Sequence, residues 1–366
     1  MSTASAYAPG RVELLGNHTD YNGGVVLAAA IDRGITVTGT ARGDDRITIA
    51  SSLTNESVDV SLREIAPRSE QKWANYPLGV VEQFQKHGDA ISGFDARVTG
   101  DVPAGAGLSS SAALEVATAG LLMKLNDLQI EPLEVAKLCQ RAENEFVGVR
   151  SGLLDQATSV LGRADHLVYL DFTSIEVQTI PFPAGFALVI VESGAKHSLL
   201  AGQYNARREE CAAAAKALGV ASLREVTPVA LEAARASLDP LLYRRAAHIV
   251  GENDRVWRAV AALKSGDAAA VGELMDASHE SSRVNFENSS DELDLLVSIA
   301  RSVPGVLGSR LTGGGFGGGT VTLAEAERAA LIADEMRAEY AKRSGHSVAG
   351  FVCRIADGAA VGWAGK

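Results

Sequence analysis

The sequence predicts an α+β fold. Residues alternate apolar and polar through the first third, take helical spacing through the middle, and end in the order strand, glycine-rich loop, strand, helix, strand. With 366 residues the chain is long enough for two units, each with its own core.

Segments 35–41 and 46–52 flank the turn Arg42-Gly43-Asp44-Asp45 and read as a hairpin, and 56–62 continues the alternation. A helix is expected around 74–87, then a half-buried strand at 94–100 with Phe94, Ala96 and Val98 inward. Apolar spacing turns helical from 109 to 125. A second helix opens at Pro132, a residue suited to the first helical position, with Val135, Leu138, Cys139, Ala142 and Phe146 on one face. Strands recur at 166–172 and 186–192, and helices at 198–218, 243–264, 267–284 and 290–302. The end reads strand (305–312), loop, strand (319–323), helix (325–344), strand (347–356). The strand-rich part gives way to the helix-rich part near 155–165. This divides the chain into 1–158 and 159–366, with the last strand free to return to the first unit.

With 34 basic and 45 acidic residues the net charge is −11, and no Lys/Arg block occurs. That balance argues against a nucleic-acid surface or an anionic membrane as partner, while local placement can still favour an anionic substrate. Cys139, Cys211 and Cys353 are odd in number and far apart, which fits a reducing cytoplasm better than a disulfide framework. No His/Cys spacing matches a zinc site, and no run approaches the roughly 18 apolar residues of a membrane span. A cytoplasmic protein, monomeric or weakly dimeric, is expected.

Four stretches carry chemistry. PGRVELLGNHTDYNGG (9–24) packs Arg11, Asn17, His18, Asp20 and Tyr21 between Pro9-Gly10 and Asn22-Gly23-Gly24, and reads as a polar binding loop bounded by turns. DVPAGAGLSSSAALEVA (101–117) is a glycine-rich strand-to-helix turn. Its serines stand at a helix start, where free N–H groups and the dipole favour anions. The stretch suits phosphate, with a serine hydroxyl able to join a Mg²⁺ shell, and it is not a Walker A loop. SRLTGGGFGGGTV (309–321) clamps six glycines between apolar strands and suits a phosphate or a tight backbone contact. GVRSGLLDQATSVLG (148–162) sets Asp155 among apolar residues, either as a helix cap or as a buried acid with work to do. Glu143, on the border of an apolar helix face, either points into a site or meets solvent.

In this order and spacing the motifs resemble the GHMP kinase superfamily and, within it, the galactokinases, over essentially the whole chain. PGRVELLGNHTDYNGG is similar to the galactokinase signature, and GLSSSAALEVA and LTGGGFGGGTV resemble the second and third family motifs. GLLDQ (152–156), the segment 196–211 and AAHIVGEN (246–253) match further. The resemblance implies an N-terminal domain of the ribosomal-S5-like type and a C-terminal ferredoxin-like domain, with sugar and nucleotide in the cleft between. The reaction implied is ATP-dependent phosphorylation of the anomeric hydroxyl of galactose. Asp155 would be the catalytic base and Arg11 its neighbouring cation, with Asn17, His18, Asp20, Gly152 and Tyr204 as further sugar contacts. Gly105, Ala106, Gly107, Leu108, Ser109, Ser110 and Ser111 would cradle the triphosphate, and Ser111 and Glu143 would hold Mg²⁺.

One position departs from the pattern. The family signature has glutamate where this chain has Asn17, at the match to the sugar 6-hydroxyl contact. A neutral amide removes repulsion against a carboxylate at C6, and Arg150 could add positive charge. Galacturonate is therefore the alternative substrate and arabinose a weaker one, with galactose the first expectation. Intact Ser111, Ala112 and Asp155 argue against a silent sugar sensor. The HTDYN stretch argues against a kinase of mevalonate, homoserine or a heptose.

Overall fold

A computed structural model describes residues 2–103, 105–195 and 200–359, with Leu200 and Ala201 described in backbone only. In chain order the elements are β1 (Thr3–Leu15), β2 (Val25–Ala41), β3 (Arg46–Ser51), β4 (Glu56–Ser61), α1 (Asn75–His87), β5 (Phe94–Gly100), α2 (Ser110–Leu125), α3 (Pro132–Arg141), α4 (Leu154–Leu161), β6 (His166–Asp171), β7 (Glu176–Pro181) and β8 (Phe186–Glu192). They continue as α5 (Leu200–Ala217), α6 (Pro228–Ala234), α7 (Pro240–Ser265), α8 (Ala268–Ser281), α9 (Asp291–Ser302), β9 (Val306–Thr312), β10 (Gly319–Glu325), α10 (Ala329–Ser344) and β11 (Gly350–Cys353). The expected helix over 198–218 is α5, its first two positions lying outside the described residues, as do Lys196 and His197 of the matched segment.

The first sheet runs β4-β3-β5-β2-β6-β7, with β1 antiparallel to β2. The first two expected strands do not pair as a hairpin. β5 lies between them, antiparallel to β2 and parallel to β3. The turn at 42–45 is held open by β5's lead-in, with Arg42 N donating to Gly93 O and Gly93 N to Asp44 O. The hairpin that does form is β3–β4.

The signature segment also differs from expectation. Its first half is strand, because Pro9-Gly10 mark a register shift inside β1 rather than a turn. Val12, Leu14 and Leu15 are buried there, against α2 and the rest of the first core. A Cβ on Gly10 would stand 2.6 Å from Leu108 O, so the glycine lets β1 pass directly beneath the 105–109 loop, and Arg11 N donates to that same carbonyl.

The second sheet runs β11-β8-β10-β9, antiparallel throughout, with α5–α9 inserted between β8 and β9. A second core joins Val189 and Val191 of β8 to Leu296 and Ile299 of α9 and to Ile332, Met336 and Tyr340 of α10. Strands β6 and β7 lie past the expected division at 158/159 yet belong to the first sheet. The reason is local: β5 covers only the second half of β2, and β6 takes the vacant edge at Val25–Ala28. The last strand, β11, stays in the second sheet rather than joining the first, and beyond it Ile355 forms an isolated bridge to Ile31 and Gly358 N donates to Gly162 O.

Candidate active site

The cleft between the two sheets encloses about 790 Å³ and is lined by β1, the starts of α2 and α4, the 105–109 loop, Tyr204 and the 313–318 loop. Arg11 and Asp155 meet on its floor. Strand β1 buries Arg11, whose Nε donates to Asp155 Oδ1 at 2.7 Å and whose Nη1 donates to Gly107 O at 2.6 Å. Leu153, not Asp155, caps α4, so the carboxylate is free of the capping role that the sequence left open. Its second oxygen accepts from Ser109 Oγ. Ser109 stands at the start of α2 with φ +53°, a left-handed conformation that a serine adopts only under constraint, and its side chain caps nothing. The hydroxyl is thereby spent on Asp155, and the first N–H groups of α2 face the cleft without a side-chain cap.

The rest of the signature builds one wall. His18, at φ +60°, donates from Nε2 to Gly314 O at 2.9 Å and accepts the Tyr21 hydroxyl at Nδ1 at 2.8 Å. Burial lowers its pKa to about 4, so the ring is neutral, as those two bonds require. The Tyr204 ring lies 4.9 Å from the His18 ring and 5.6 Å from that of Tyr21. Burial, then the nearby Asp155, push Asp20 up to about 7. Gly152 abuts it: a Cβ there would lie 1.8 Å from Asp20 Oδ2.

Asn17 is part of the cleft lining, but its side chain is packed rather than open. It is 1% exposed and its amide is fully engaged, donating to Gly313 O (2.8 Å) and Glu13 Oε1 (3.2 Å) and accepting from Asn288 (2.8 Å). Arg150 is solvent-exposed, 3.8 Å from Glu209, and is not part of the cleft lining. The cation beside the signature wall is Arg208 of α5, which the sequence reading missed. It lies over the Tyr21 ring and donates to the Arg150 carbonyl.

Glu143 is buried, on a π-helical turn (Ala142–Val147) that widens the end of α3. Ser151 Oγ and Gln156 Nε2 donate to it and the Ser111 hydroxyl bonds it, none of them positively charged. Gln156 also holds Glu115, and burial raises both carboxyl pKa values. A buried carboxylate beside a hydroxyl, without a cationic partner among these groups, is the all-oxygen donor set that suits Mg²⁺. Gly105, Gly107, Leu108, Ser109, Ser110 and Ser111 line the cleft, whereas Ala106 is buried beneath it. The far end is apolar and aromatic, with Leu53, Trp73 and Tyr76, residues that carry no motif and were not foreseen.

Family models agree with this assembly. Residues 2–41 match the galactokinase galactose-binding signature, 75–163 the GHMP kinases N terminal domain, and 259–342 the GHMP kinases C terminal domain. A galactokinase of Pasteurella multocida is 42% identical, over 98% of this chain and 95% of its own. The crystal structure of Lactococcus lactis galactokinase complexed with galactose superposes with a TM-score of 0.95 at 31% identity, covering 98% of this chain and 95% of that one. Methanococcus jannaschii mevalonate kinase, at 20% identity, covers 97% of this chain and 99% of its own with a TM-score of 0.68, and shares the fold alone. The protein belongs to the galactokinase family of the GHMP kinases.

Proposed function

We propose that this chain transfers the terminal phosphoryl group of ATP to the anomeric hydroxyl of D-galactose, giving galactose 1-phosphate and ADP. The observation that carries the reading is the Arg11–Asp155–Ser109 contact, set between the His18/Asp20/Gly152/Tyr204 wall and the open start of α2. Full-length similarity to galactokinases favours galactose over galacturonate. The engagement of Asn17 and the outward position of Arg150 point the same way.

In this reading Asp20, His18 and Tyr204 orient the sugar, and its C1 hydroxyl is offered to Asp155. Asp155 accepts that proton as the oxygen bonds to phosphorus and ADP departs. Arg11 stabilises the carboxylate's charge and adds positive potential near the moving group. Phosphoryl transfer needs mainly positioning and charge neutralisation. The uncapped N–H groups of α2 and the backbone of residues 105–108 supply both to the phosphates. Ser111 and Glu143 would hold Mg²⁺, which when bound neutralises phosphate charge. Leu53, Trp73 and Tyr76 offer the base an apolar slot.

The division of labour is an N-terminal unit that extends through β7 and a C-terminal unit that begins at β8. Cys139, Cys211 and Cys353 are free and buried, which fits a reducing cytoplasm. No described helix is long and apolar enough to cross a membrane. The partner is a small sugar, with neither nucleic acid nor membrane involved, and the protein works as a monomer or weak homodimer.

The test is ADP release with Mg-ATP, comparing D-galactose with D-galacturonate at matched concentrations. Faster turnover on galactose is expected. A reversal would transfer the assignment to a C6-altered sugar, and turnover on mevalonate or homoserine alone would remove it.

A further inference from the structure

Low on the cleft wall, where Glu13 and Asn17 are part of the lining, lies a buried polar cluster to which the reaction described above assigns no step. Glu13 of β1 is 2% exposed and Arg310 of β9 is fully buried, and Arg310 Nη1 donates to Glu13 Oε1 at 2.9 Å and to Leu14 O at 3.1 Å. Nε and Nη2 of Arg310 have no hydrogen-bond partner, so Glu13 is the carboxylate that bonds the guanidinium, with the buried Glu252 adding to its charge balance from nearby. Asn17 bridges from that carboxylate to the glycine-rich loop, donating to Glu13 and to Gly313 O. Asn288 completes the bridge, donating to Asn17 Oδ1 and to Gly314 O and accepting Phe316 N–H. His18, the next residue, holds Gly314 O from the other side.

We infer that Glu13 and Asn17 form a coupled acid–amide pair. The acid at position 13 balances Arg310, and the amide at 17 holds the glycine-rich loop against the sugar wall, as a positioning residue rather than a contact to the sugar. The inference rests on the galactokinase reading for its kinetic readout. It accounts for the departure at Asn17, where the family signature carries a carboxylate. That charge is not lost but stands one contact away, on Glu13. A second carboxylate at 17 would face Glu13 across a contact that is now 3.2 Å and would lose the donor to Gly313 O. Moving the acid to 17 and the amide to 13 keeps one negative charge and one amide in the pair, and removes the clash of two carboxylates, but not the loss of the donor to Gly313 O. Discrimination at C6 is therefore independent of the Asn17 side chain.

The experiment is a double-mutant cycle with Asn17→Glu, Glu13→Asn and the double variant, read by thermal unfolding and by kcat/KM for galactose. Each single variant is expected to lower the unfolding midpoint and to lose at least ~10-fold in kcat/KM, the double variant recovering much of the midpoint but little of kcat/KM, because it still lacks the donor to Gly313 O. Additive losses in the unfolding midpoint, or a single Asn17→Glu variant as stable and active as the parent, would overturn the pair. Asn17→Ser supplies a further arm by comparing galactose with 6-deoxygalactose. A positioning role changes kcat on both sugars and leaves their ratio unchanged. A ratio shifted ~10-fold would return Asn17 to the 6-hydroxyl and sink the inference. Should the parent protein phosphorylate no galactose, the functional reading fails, while the unfolding cycle still reports on the pair.

Discussion

Gly152 and Asp20 exclude any side chain between them, since a Cβ at 152 would stand 1.8 Å from Asp20 Oδ2. Gly152 is not among the residues with positive φ, so alanine meets no backbone strain there and its whole cost falls on Asp20. Gly152→Ala is expected to raise KM for galactose by ~10–100-fold, because a displacement of about 1 Å at a positioned group costs that order of rate or affinity. KM for ATP and the unfolding midpoint should stay near the parent values. Steady-state kinetics on both substrates checks this, and an unchanged galactose KM would remove Asp20 from the sugar wall.

Asp155 is held from two sides, by Arg11 and by Ser109. Asp155→Asn keeps the shape, removes the proposed proton acceptor, and is expected to lower kcat by ~10²–10⁴-fold. Galactose affinity measured by calorimetry should change far less. Arg11→Lys should also lower kcat, because a lysine cannot reproduce the two directed bonds to Asp155 and Gly107 O. Wild-type turnover in Asp155→Asn would show that the carboxylate is not the acceptor.

Asp20 provides a pH signature. Its folded pKa of about 7 exceeds the unfolded value, so the neutral form is favoured by folding. The stability it contributes is complete below pH ~4 and is lost as pH rises through 7. Sugar binding runs the other way if ionised Asp20 accepts the galactose hydroxyls, so kcat/KM for galactose should climb with an inflection near 7. Asp20→Asn should remove both slopes. His18, lowered to about 4, adds no inflection in this range. A profile flat between pH 6 and 8 would contradict the assignment.

The candidate site, as a cleft in which these residues gather, was legible where chemistry and glycine punctuate the chain together. Asp155, Arg11, His18 and the serines at 109–111 stand out because polar groups among turn formers have few structural reasons to cluster. Asn17 was visible as a departure, but not its direction, because Glu13, Gly313 and Asn288 that engage it lie 4 to 296 residues away in sequence. Arg208 escaped because a cation within α5 looks like any solvated helix residue. Trp73 and Tyr76 escaped because an apolar slot has no motif. Among the elements, β1 was hidden by Pro9-Gly10, which signal a turn in isolation and a bulge when Leu108 lies above them. The hairpin error has the same origin, since alternation identifies a strand and says nothing about which strand will enter beside it.

Glu143 and Glu115 are two buried carboxyls bridged by Gln156 Nε2, at 2.9 Å to each, and only Glu143 reaches the Ser111 hydroxyl. Burial raises both pKa values, and that of Glu115 goes well above the ordinary range, with the neighbouring Glu143 adding to the shift. Such a site favours one negative charge at most, and the carboxylate at the cleft is where a divalent cation would recover it. Glu143→Gln is therefore expected to weaken Mn²⁺ binding to the ADP complex by ~10-fold or more, measured by electron paramagnetic resonance. Glu115, the carboxyl that burial pushes furthest up and that does not touch Ser111, is the less suited to hold the cation, so Glu115→Gln should leave Mn²⁺ affinity within about twofold. Equal losses in the two variants would place the charge on the pair as a whole, and no loss in Glu143→Gln would move the metal to other ligands.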